Sequence, residues 1–182
     1  ELSKAKRNLL ILTIIVSNIA VMGDYAVYPI VNGLYDLFGD KAGWVDTWVT
    51  MPQWMQVIFS FAAALMLRKM STKHVLVLGG ILFTVGGLGG ALIPSIEYMT
   101  FMRALFGIGI ALVNVAGVSV LTQAFPDEIE YNKIMGYYNA GQALAGTAIS
   151  ALAGNLAVGG WTHVFFIFVS AVAMTIMFVL FV

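Results

Sequence analysis

The sequence predicts an all-α transmembrane fold, a six-helix bundle built of two inverted three-helix repeats. Three observations carry this. The 182 residues are 60% hydrophobic and only 10% charged, against about 25% charged residues in soluble domains. The apolar residues form six long continuous runs with short breaks. Polar residues gather on one helical face in four of those runs, and the polar-poor run comes third in each half. Nine basic and nine acidic residues cancel, so the chain carries no nucleic-acid footprint. The absence of cysteine excludes a disulfide framework and a thiolate metal site.

The runs are Asn8–Val31, Trp44–Leu67, Val75–Pro94, Met99–Phe125, Tyr137–Val158 and Val164–Val182. Each reaches the roughly 20 residues a helix needs to cross about 30 Å of hydrocarbon. Only helices and closed barrels satisfy their backbones in lipid, and runs that do not alternate are helices. Residues 3, 4, 7 or 11 apart share a helical face. In the first run Ser17, Asp24 and Tyr28 do so, with Tyr35 joining if the helix continues. In the second, Asp46, Thr50, Gln53 and Ser60 align. The third has only Thr84 and a series of glycines, Gly79, Gly80, Gly86, Gly87, Gly89 and Gly90. The fourth aligns Arg103, Gly107, Ile110 and Asn114. The fifth aligns Tyr138, Gln142 and Ala145, with Asn139 one position aside. Its Gly141, Gly146, Ser150 and Gly154 form a ridge of small residues that predicts close helix contact. The sixth has only Ser170 and Thr175.

A polar stripe in a membrane helix faces a neighbour or water. Runs one, two, four and five are therefore expected around an aqueous cavity, with three and six as outer supports. For any single hydroxyl or amide, holding two helices together is the simpler role. The repeats are expected at about residues 8–94 and 99–182, a plan recurrent in transporters.

Basic residues set the orientation. Lys4, Lys6 and Arg7, then Arg68, Lys69 and Lys73, then Lys133 fall on one side, and only Lys41 on the other. The positive-inside rule makes the N-terminus cytoplasmic, and six spans return the C-terminus to that side. Trp44, Tyr98, Trp161 and His163 fall at the opposite interface, where aromatic rings are enriched. Asp127, Glu128 and Glu130 read as a solvated inner loop. The first run is too long for a signal-peptide core and ends without a small-residue cleavage site. The chain begins at Glu1 and its last apolar run stops at Phe181-Val182 without a polar flank, so a truncated chain is expected.

Several segments resemble the major facilitator superfamily, across essentially the whole chain. The loop from Ala64 to Leu76 resembles a degenerate form of the family's signature loop. Ala64 and Ser71 stand for its glycines, Arg68 for its aspartate, and Lys69 and Lys73 keep basic positions. Arg103 to Ala111 is similar to the family's Arg-x-x-x-Gly-x-Gly pattern. Asp24 with Pro29 resembles a segment common in drug-efflux members. Gly146 through Gly154 resembles the antiporter motif, with Ser150-Ala151 in place of its Gly-Pro pair. Trp161 to Phe165 resembles the opening of span six. The resemblance implies the N-terminal half of an alternating-access transporter, with Arg68, Lys69 and Lys73 in a gating loop. It implies a second six-helix half as partner, from the same chain or a second copy.

Of the three charges within the apolar runs, Asp46 lies near the outer end of its run, and Asp24 and Arg103 lie deeper. Each costs on the order of 2.5 to 3.5 kcal/mol on insertion scales, so such residues persist when paired, hydrated or used. Counting residues from the outer ends puts Asp24 about 10 Å deep and Arg103 about 6 Å deep, within reach of one another. The arginine keeps the carboxylate ionised while desolvation favours its protonated form. That competition makes Asp24 a candidate proton-coupling site; the plainer expectations are a static pair, or an Arg103 that reaches the outer headgroups. Tyr25, Tyr28, Gln53, Trp54, Asn114, Tyr138, Asn139 and Gln142 are the candidate substrate contacts, suited to an amphipathic organic solute or a sugar. Asp46 is expected to be solvated. No nucleophile–base set or metal-ligand cluster is present, and His74 and His163 fall on opposite sides, so neither an enzyme nor a cofactor is expected. The expected function is secondary transport of a small organic solute or drug across the plasma membrane. A channel or a non-transporting scaffold subunit is the alternative.

Overall fold

The computed structural model describes residues 4–182, with side chains from residue 6 onward. Lys4, counted among the inner-face cations, has its side chain outside the described residues. Helix makes up most of the described chain, and no strand occurs among the described residues. The α-helices are α1 (Lys4–Val21), α2 (Val31–Leu37), α3 (Ala42–Met66), α4 (Thr72–Gly89), α5 (Ile96–Ala124), α6 (Glu128–Ala157) and α7 (Ser170–Phe181). Two nine-residue 3-10 segments, Met22–Ile30 and Trp161–Val169, continue α1 into α2 and lead into α7. Six helical spans result. Five are long and apolar enough to cross a membrane, and the sixth, α6, is 30 residues long but less apolar.

The first span departs most from the sequence expectation. It runs on past Val31 to Leu37, so Tyr35 belongs to it. Asn32, Gly33 and Asp36 lower its hydropathy without breaking the helix, because they are exposed. Pro29 lies inside the 3-10 segment, where it has no N–H to give to an α-type ladder. The other helix starts follow from capping. Ser71 accepts from His74 N ahead of α4, and Asp127 accepts from Glu130 N at 2.9 Å ahead of α6. Asp127, Glu128 and Glu130 are thus a cap and a first turn rather than a loop. Their negative charge suits the positive end of the helix dipole. Gly160, at φ 130°, makes the turn between α6 and the second 3-10 segment, in the left-handed region that favours glycine.

Glycine also sets the packing. A Cβ on Gly86 would lie 2.4 Å from Phe106 N, and one on Gly109 would lie 2.4 Å from Phe83 N. These reciprocal gaps let the backbones of α4 and α5 touch, as small residues do in membrane helices. Phe83 and Phe106 meet beside them with tilted rings 4.5 Å apart, and Phe168 meets Phe106 edge-on at 5.1 Å. The core therefore lies where α4, α5 and the second 3-10 segment converge. On the other side α6 packs against α1 and the first 3-10 segment, and α3 packs against α5. The ridge of small residues on α6 does not meet a helix as expected. Positions 141 and 154 face open space, and only Gly146 approaches a neighbour, the Tyr25 ring.

Candidate functional site

Asp24 is the third residue of the first 3-10 segment, which packs chiefly against α6. It lies thirteen residues before the end of α2, and Arg103 lies seven residues after the start of α5. Both charges are thus deeper in their helices than the apolar runs alone place them. Asp24 is 9% exposed and Arg103 only 3%. Arg103 Nη2 donates to Asp24 Oδ1 at 2.5 Å. Gln53 Nε2, from α3, donates to Asp24 Oδ2 at 3.0 Å. Both carboxylate oxygens are therefore satisfied, one by a charge and one by a neutral amide. The guanidinium is held further by α3: its Nε donates to the Trp48 carbonyl at 3.5 Å. Its Cζ lies 5.1 Å from the Trp48 ring centroid and 4.9 Å from that of Phe106.

Beside this pair opens a groove of about 850 Å³ between the first 3-10 segment and α6, lined by Met22, Tyr25, Asn139, Gln142, Gly146 and Ser150 among others. Tyr25 and Tyr28 are each 46% exposed, and their rings lie 5.8 Å apart. Of the eight candidate substrate contacts, Tyr25, Asn139 and Gln142 line the groove, Tyr28 stands beside Tyr25, and Gln53 reaches Asp24. Trp54 is exposed on α3, next to Gln53. Asn114 and Tyr138 form a separate joint. Tyr138 is buried, and its hydroxyl donates to Asn114 Oδ1 at 3.4 Å. Its backbone carbonyl accepts from Asn18 Nδ2 at 2.7 Å. Asn18 lies about 9 Å along the helix from Asp24, toward its N-terminal end.

Several stripe hydroxyls turn back on their own helices. Ser17, Thr50 and Ser60 donate to carbonyls three or four residues earlier. Asp46 accepts from the Tyr35 hydroxyl rather than standing only in solvent. In the loop between α3 and α4, Arg68 and Lys69 are exposed, while Lys73, in the first turn of α4, donates from Nζ to Val179 O of α7 at 2.8 Å. Among residues the stripes did not mark, Trp48 and Asn18 matter most. Trp48 sits off the polar face of α3, so no spacing signalled it. Phe106 stands three residues from Arg103 and was within reach of a same-face argument. Among the described residues no cluster of His, Asp or Glu has the makings of a metal site.

The sequence profile of the Major Facilitator Superfamily matches residues 13–182. The chain belongs to that superfamily. It is a superfamily of membrane transporters, not of enzymes, and with five apolar spans the chain is a multi-pass membrane protein. The multidrug resistance protein Stp of Mycobacterium tuberculosis is 29% identical over 124 residues, 63% of this chain and 23% of the relative. The methylenomycin A resistance protein of Streptomyces coelicolor is 28% identical over 130 residues, 66% of this chain and 27% of the relative. The major facilitator superfamily multidrug transporter mfsC of Aspergillus fumigatus is 24% identical over 122 residues, 63% and 24% respectively. The matched stretch spans about a quarter of the length of these relatives.

Proposed function

We propose that this bundle is the N-terminal half of an alternating-access transporter that moves a small organic solute or drug across the plasma membrane, coupled to protons through Asp24. The observation that carries the reading is the buried Asp24–Arg103 pair, whose aspartate directly precedes Tyr25 in the lining of a groove that also presents Asn139 and Gln142. A carboxylate with one charged and one neutral partner can lose its ionisation without being stripped of hydrogen bonds, since Gln53 remains. Proton or substrate binding at Asp24 weakens its tie to Arg103 and frees the first span to shift against α3 and α5. Tyr25, Tyr28, Asn139 and Gln142 supply aromatic and amide contacts for the solute. The resistance proteins among the relatives support an amphipathic drug-like cargo.

The N-terminus is cytoplasmic in this reading, and Arg68, Lys69 and Lys73 belong to the inner gate. A second six-helix half completes the pathway. The packing supports two inverted repeats, residues 8–94 and 99–182, because α3 leans on α5 while α6 leans on the first span. The test uses the complete gene product in proteoliposomes, with ethidium as the cargo probe. Accumulation against its gradient when a pH difference is imposed supports transport. Ohmic current without accumulation overturns it in favour of a channel.

A further inference from the structure

The proposed coupling leaves one question open in physical terms: what compensates Arg103 when Asp24 becomes neutral. A buried guanidinium that loses its only counter-charge is costly, and Arg103 Nη1 is already buried without a hydrogen-bond partner. We propose that Trp48 and Phe106 form an aromatic clamp that holds Arg103 charged and in place on the α3–α5 block, so that Asp24 and the first span are the parts that move.

Three features carry this. Trp48 and Phe106 are both 0% exposed, and the guanidinium carbon lies about equally far from the two ring centres, at 5.1 and 4.9 Å. Aromatic faces attract a cation without accepting a proton, and they do so more strongly once it is desolvated. Second, neither ring comes from the first span, and the Nε contact goes to the Trp48 carbonyl of α3. Third, α3 and α5 are locked one turn further along. A Cβ on Gly107 would lie 2.6 Å from Pro52 Cα, and residues 107 and 52 stand four positions after Arg103 and Trp48. Arg103 is thereby tied to one rigid pair of helices, and Asp24 to another part of the bundle.

The charged and titratable groups facing Asp24 are few. Arg103 comes from α5, and Tyr25 and Tyr28 come from its own segment. α3 contributes the neutral Gln53, and Asn139 and Gln142 of α6 are neutral too. Asp46, the next carboxylate along α3, is tied to Tyr35. The rings act most on the state in which Asp24 is neutral, because an ion-paired guanidinium has less field to offer them. Removing a ring therefore favours ionised Asp24 and moves proton binding to lower pH.

The pH-dependent part of the test rests on the coupling role proposed above. In the complete protein, Trp48→Leu should move the pH midpoint of ethidium transport down by about half to one unit, and Trp48→Phe should restore it. An unchanged or raised midpoint overturns the clamp. A second measurement is independent of transport. In detergent, thermal unfolding of Trp48→Leu, Asp24→Asn and the double variant forms a cycle. The clamp predicts that Trp48→Leu lowers the melting temperature more in the Asp24→Asn background than in the native one. Phe106→Leu should repeat that sign. Equal losses in both backgrounds overturn the clamp whether or not the protein couples to protons.

Discussion

Asp24 and Arg103 stand on different helices 79 residues apart in sequence and meet at 2.5 Å. Breaking a buried pair by removing one member leaves the other uncompensated, at about 3–5 kcal/mol. Arg103→Leu should therefore destabilise the bundle by that amount in detergent unfolding. Asp24→Leu added to Arg103→Leu should recover most of it, because two apolar side chains leave no lone charge. This pair was legible in the sequence because so few charges interrupt the apolar runs that each had few partners to choose from. Their contact geometry was less legible. Trp48, whose ring and carbonyl both contact the Arg103 guanidinium, lies off the polar face of its helix and carries no spacing signal. Tyr138 read as a solute contact from its place in a stripe. Its hydroxyl instead meets Asn114 inside the bundle, since a stripe fixes a face and not what that face touches.

Helix contacts in lipid depend on how closely backbones approach, and glycine decides that here. Gly107→Ala would set a methyl 2.6 Å from Pro52 Cα and 2.7 Å from Pro52 O, both backbone atoms. Overpacking of this kind costs about 1–3 kcal/mol. Thermal unfolding should show that loss for Gly107→Ala and almost none for Gly141→Ala, whose Cβ would meet open space. The two positions look alike as sequence, each a glycine in a long apolar helix. The run of glycines on α4 signalled close packing, and it packs on α5. The ridge on α6 gave the same signal and instead borders the groove. Helix ends were misplaced where polar residues continue a helix: Asn32 and Asp36 prolong the first span, and Glu128 begins α6. Hydropathy measures lipid exposure there, not hydrogen bonding.

The six-span architecture was the most legible level, because bilayer thickness, backbone satisfaction and composition constrain it together. Orientation rests on the basic loops and remains a prediction of its own. These 182 residues hold no cysteine, so a thiol introduced among them is the one this bundle carries. Asp40→Cys should react with a membrane-impermeant maleimide in intact cells, and Lys69→Cys only after permeabilisation. The reverse pattern would invert the topology. At this level the Asp24–Arg103 contact links the first span, which packs on α6, to α5, which packs on α3 and α4, while α7 packs against both α1 and α4. Coupling through that contact makes a distinction between exchange and drive. Proteoliposomes bearing the complete protein with Asp24→Asn, assayed with ethidium, measure it directly. Proton coupling at Asp24 predicts that counterflow of ethidium persists while accumulation driven by a pH gradient is lost. Accumulation at the native rate in that variant would contradict it.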